Sequence, residues 1–131
     1  REMESADSNR CLKAITLAGI TRHREASPKL LEFLNLRGFD KRTFSLKKAS
    51  VYALAEIGDP SVLPYVVAAL KKKSLLFWQK SRLLKTLIID SLAKYPIPQA
   101  TSILQNIATT RPRELAKRAS VVMNRLRTYS S

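Results

Sequence analysis

Apolar residues in this chain recur at spacings of three and four, with polar and basic residues between them, and nowhere alternate in the two-residue rhythm of a strand. Leu12, Ile15, Ala18 and Gly19 mark one face of a first helix over residues 8–21, and Ser27-Pro28 opens a second that continues through Leu30, Leu31 and Leu34. Leu46, Ala49, Ala53, Leu54 and Ile57 define a third. Gly58-Asp59-Pro60 ends it, because glycine accepts the left-handed C-cap while aspartate can cap the helix that proline begins. A fourth helix runs to Lys71-Lys72-Lys73. Beyond it the spacing of Leu76, Phe77, Leu83, Leu84, Leu87 and Ile88 predicts core positions, followed by helices over 98–110 and 112–128. The polar opening, Arg1 to Ser5, reads as a frayed lead-in. The expected fold is all-α, with no sheet.

The pattern also repeats along the chain. Pro60, Val62 and Leu63 align with Pro98, Ala100 and Thr101 at an offset of 38, and the preceding helices keep that offset, with Leu46 on Leu84, Ala49 on Leu87, Leu54 on Leu92 and Ala55 on Ala93. Lys48-Ala49-Ser50-Val51 is echoed by Arg118-Ala119-Ser120-Val121, and Leu17-Ala18-Gly19-Ile20 matches Leu54-Ala55-Glu56-Ile57 at an offset of 37. The string from Ala53 to Pro64, ALAEIGDPSVLP, resembles the HEAT-like repeats first named from phycobilisome lyases. The third unit has Tyr95-Pro96-Ile97-Pro98 in place of the Gly-Asp-Pro turn, and the first lacks the motif. The resemblance covers about three and a half repeats, with units near 8–37, 43–73, 76–110 and 112–128 of a single domain, 1–131. It implies a right-handed α-solenoid whose first helices lie on the convex side and whose second helices line the concave side. Stacking suits such units, since each helix pair leaves an apolar flank bare until a neighbour covers it. An irregular helical bundle is the alternative reading of the same pattern.

Composition agrees with one folded domain. The chain has 131 residues, of which 45% are hydrophobic, and 24 Lys and Arg oppose 10 Asp and Glu for a net charge of +14. Wholesale disorder is excluded, and no stretch approaches the roughly 20 apolar residues of a membrane span. A soluble, cytoplasmic protein is expected. The single Cys11 and single His23 exclude an internal disulfide and a clustered zinc site. Without an initiating Met or a secretory signal, the sequence reads as part of something larger, with the flank of helix 112–128 left bare for a neighbour. The charge is uneven: residues 1–40 hold seven bases and six acids, and the remainder holds 17 bases and four acids. On a solenoid those bases gather at the repeat junctions: Lys41, Arg42, Lys47 and Lys48; Lys71, Lys72, Lys73, Lys80 and Arg82; Arg111, Arg113, Lys117 and Arg118. Helix N-termini on the same edge would add to its attraction for anions.

The raw material for catalysis is thin. His23 lies between Arg22 and Arg24 in a loop, Cys11 reads as a small buried hydrophobe, Asp59 as a cap and Glu56 as a surface residue. Asp90, within an apolar run, is expected to be exposed or hydrogen-bonded to a neighbouring helix. No cofactor or metal is implied. Trp78, with Arg82 and Lys85 on its own helix face, is a candidate partner anchor. The expectation is a non-enzymatic protein-interaction scaffold contacting a protein partner, with the charge favouring an acidic one, through helices 27–37, 60–71 and 98–110. The alternative is nucleic-acid binding along the basic edge. The resemblance adds weaker DNA glycosylase-like and bilin-lyase-like readings.

Overall fold

The computed structural model describes residues 2–110 and 112–130, and the side chains of 9–109 and 112–128. Among them no strand forms. Seven α-helices follow one another: α1 Glu2–Ile20, α2 Ser27–Leu34, α3 Lys41–Ile57, α4 Leu63–Ala69, α5 Trp78–Ser91, α6 Ile97–Thr110 and α7 Arg113–Ser130. None is long and apolar enough to cross a membrane among the described residues.

Local chemistry sets the boundaries. Asp40 caps α3, its Oδ1 accepting the Thr43 N–H at 2.9 Å. At the other end Gly58 takes φ 69° and its N–H donates to the Leu54 carbonyl at 2.9 Å. Asp59 then accepts the Ser61 N–H at 3.0 Å, and Pro60–Val62 turns as a short 3-10 segment into α4. Gly58 ends α3 as its sequence suggests, whereas Asp59 caps the 3-10 turn that Pro60 begins and α4 itself starts at Leu63. The frayed lead-in does not hold, because α1 runs from Glu2. Nothing in residues 2–18 breaks a helix, there being neither glycine nor proline.

The α1, α3, α5 and α7 helices stand side by side in chain order, each touching the next. Their partners pack alongside, α2 against α3 and α4, and α6 against α7. At the α1–α3 crossing Gly19 allows close approach; a Cβ there would meet the Ala53 Cα at 2.9 Å. The buried positions recur at the offset of 38. Leu46, Val51, Leu54, Ile57, Val62 and Val66 match Leu84, Ile89, Leu92, Tyr95, Ala100 and Leu104, all twelve buried.

Other alignments dissolve. Leu17 and Ile20 are 61% and 72% exposed where Leu54 and Ile57 are buried; α1 instead buries Ile15 and Gly19, which lie 35 positions before Ser50 and Leu54. The 118–121 echo fails in the same way, with Ser50 and Val51 buried but Ser120 and Val121 exposed. Leu76, Phe77 and Leu83, expected in the core, are exposed, whereas Leu84 and Ile88 are buried. Residues 71–77 form a loop ahead of α5, and Leu83 falls on the outer side of the turn that buries Leu84.

Candidate functional site

Two kinds of surface emerge. The first is an open groove of about 760 Å³ between α4 and α6. One wall carries Pro60, Leu63, Pro64, Val67, Ala68 and Lys71, and the other carries Pro98, Gln99, Ser102 and Ile103. Helical spacing produces both walls, since steps of three and four bring these residues to one side of each helix. Apolar and small side chains dominate it, and Lys71 is the one charged group in the lining. Helix 98–110 carries no charged residue; its Gln99 and Ser102 line the groove, and Gln105, Asn106 and Thr109 are exposed beyond it. Sequence reasoning pointed to these helices without finding the groove; its signal was Pro60, Pro64 and Pro98 beside the small Ala68 and Ser102.

The second surface is the basic edge, and the structure divides its residues. Lys41, Arg42, Lys71, Lys73, Arg113 and Lys117 are exposed. Arg111 lies outside the described residues. Lys47 is buried; its Nζ donates to the Gly38 carbonyl at 2.8 Å and lies 3.9 Å from the Phe39 ring centroid. Burial first, and then the nearby Lys72 charge, pull its pKa below the usual lysine value. Lys80 donates to the Phe39 carbonyl at 2.8 Å, Lys72 to Asn35 Oδ1 at 2.6 Å, and the Lys48 ammonium sits over the Phe44 ring. Lysines 47, 72 and 80, from three separate segments, thus clasp the 35–40 loop. Phe39 at its centre packs on Phe44 and Phe77, each at a centroid distance of 6.0 Å.

Further along, Arg82 pairs with Glu114 at 2.6 Å and lies over the Trp78 ring at 5.2 Å, which leaves the indole about half exposed. Arg118 grips Asp90 with two bonds, Nε to Oδ1 at 2.5 Å and Nη2 to Oδ2 at 2.8 Å. Those bonds raise the guanidinium's pKa and tie α7 to α5. Asp90 thus makes the hydrogen bond to a neighbouring helix that its position suggested.

Two clefts flank the 73–77 loop. One, of about 610 Å³, opens toward Arg37, Phe39, Lys47 and Lys72. The other, of about 480 Å³, opens toward Trp78, Arg82, Lys85 and Arg113.

The remaining reactive groups stand apart. His23 is exposed and 3.5 Å from Glu25, and Cys11 is partly buried against the core. Among the described residues no group of three or more His, Cys, Asp or Glu gathers to hold a metal. No family model, curated protein or solved structure matches the chain.

Proposed function

We propose that the chain is a HEAT-like α-solenoid module, a non-enzymatic scaffold that holds an extended segment of a partner protein in the groove between α4 and α6. The observation that carries this reading is the groove itself, apolar over most of its length and ending at the exposed Lys71. Such a lining suits a peptide of apolar side chains with an acidic residue placed to meet the lysine. Support for the solenoid comes from buried positions that recur at 38 and from the side-by-side order of α1, α3, α5 and α7. Pro60 and Pro98, like Pro64 and Ser102, occupy equal positions of the repeat on the two walls.

Nucleic-acid binding along the junctions is the weaker reading. Lys47, Lys80, Arg82 and Arg118 are held by carbonyl or carboxylate groups of the protein, which reduces what the edge can offer to phosphates. Selection of displayed peptides on the immobilised protein tests the proposal. Recovered sequences should be apolar with acidic residues, and Ala68→Trp, which fills the groove from an exposed position, should weaken them at least about tenfold. Peptides that bind the Ala68→Trp variant equally well would overturn it.

A further inference from the structure

The loop between α4 and α5 presents a surface that the groove does not use. Leu75 is 94% exposed and Leu76 88%, and Phe77 and Trp78 behind them are partly exposed. Two adjacent leucines so bare are unusual in a folded domain and mark a surface that meets another phase or partner. The root of the loop is anchored: the Phe77 N–H donates to Ser74 Oγ at 3.1 Å, and the Phe77 ring packs on Phe39, itself clasped by Lys47 and Lys80. The leucine pair is therefore held outward on a braced stem.

Bases surround this tip. Lys72, Lys73 and Arg37 line the cleft on one side with Leu75 and Leu76, and Arg82, Lys85 and Arg113 line the cleft on the other side with Leu75 and Trp78. Glu114, the one acid in either lining, is occupied by Arg82. An aliphatic tip within a basic collar, with an indole at the boundary, is complementary to an anionic lipid surface: leucines enter the acyl region, tryptophan sits at the headgroup level, and lysines meet the charge. Nucleic acid fits less well, since Leu75 and Leu76 offer neither a stacking face nor a hydrogen bond. We infer that the 74–78 loop inserts shallowly into anionic membranes, docking the module on a lipid surface while the α4–α6 groove stays open.

Trp78 is the chain's only tryptophan, so its emission reads the loop directly. With vesicles of phosphatidylcholine containing about 30% phosphatidylserine, the expected result is a blue shift of Trp78 emission and co-sedimentation, both absent with phosphatidylcholine alone. Leu75→Ser/Leu76→Ser, at exposed positions that leave the fold intact, should cut vesicle binding about tenfold or more. Lys72→Glu/Lys73→Glu should abolish it, and Ala68→Trp in the groove, which adds a second indole and is therefore followed by co-sedimentation, should leave it unchanged. Absence of a shift with anionic vesicles would overturn the inference, as would binding that ignores the leucine substitutions. So would a Trp78 response to polyuridylate with none to vesicles, which would assign the loop to nucleic acid.

Discussion

Single residues carry costs that the core does not need. Ser50 is fully buried in α3 and its Oγ finds no partner among the described residues. Removing a desolvated, unpaired hydroxyl from a helix interior relieves a penalty, so Ser50→Ala is expected to stabilise the protein by about 1 kcal/mol in urea unfolding. Tyr95 and Lys47 act on stability in opposite directions as pH changes. Burial, and secondarily the Asp59 charge, raise the Tyr95 phenol well above its ordinary 10.0. The folded chain then keeps a proton that the unfolded chain loses, and this stabilisation, complete below pH 10, is lost as pH rises through the folded-state value. The Lys47 pKa is lowered from 10.5, so the unfolded chain holds more protons and the cost of the buried charge fades as pH rises toward that value. Tyr95→Phe removes only the first effect. Its urea midpoint should fall less steeply than the parent's between pH 10 and about 11.5, and identical slopes would show that another group governs alkaline unfolding.

Elements were legible where the signal was local. The caps at Asp40, Gly58 and Asp59 follow from residue type and spacing, and the offset of 38 carries from sequence into burial because the turn from Ile57 to Val62 spans as many residues as the turn from Tyr95 to Ala100. The first unit escaped because its inter-helix loop is different in length, so short matching strings such as Leu17 to Ile20 line up out of register with the buried face. Lys47 escaped for another reason. Its partners, the Gly38 carbonyl and the Phe39 ring, come from the loop before its own helix, and a basic run gives no sign of which lysine turns inward. Leu76 and Phe77 looked like core because apolar spacing does not distinguish a helix face from a projecting loop. The α1–α3 crossing offers a test at this scale. Gly19→Ala places a methyl against the backbone of α3, which cannot rotate aside. The expected loss of about 1–3 kcal/mol in thermal or urea unfolding should exceed the roughly 1 kcal/mol gained in helix propensity.

At the scale of the whole molecule, the +14 charge resolves into distinct roles. Lys47, Lys72 and Lys80 brace a loop, Arg118 and Arg82 tie α5 to α7, and Lys73 and Arg113 join Lys72 around the exposed leucines. The groove between α4 and α6 is set apart from most of this charge, and only Lys71 reaches it. Net charge suggested nucleic acid along an edge as the alternative to a protein partner on helices 27–37, 60–71 and 98–110; the proposed scaffold keeps that partner and narrows its place to the apolar cleft between α4 and α6. Amide NMR of the protein, titrated with a peptide recovered by selection, tests that claim most directly. The expected result is saturable shifts confined to Leu63–Lys71 and Gln99–Ile103, lost in Ala68→Trp. Shifts that centre instead on residues 72–82 and 113–118, with α4 and α6 silent, would contradict it.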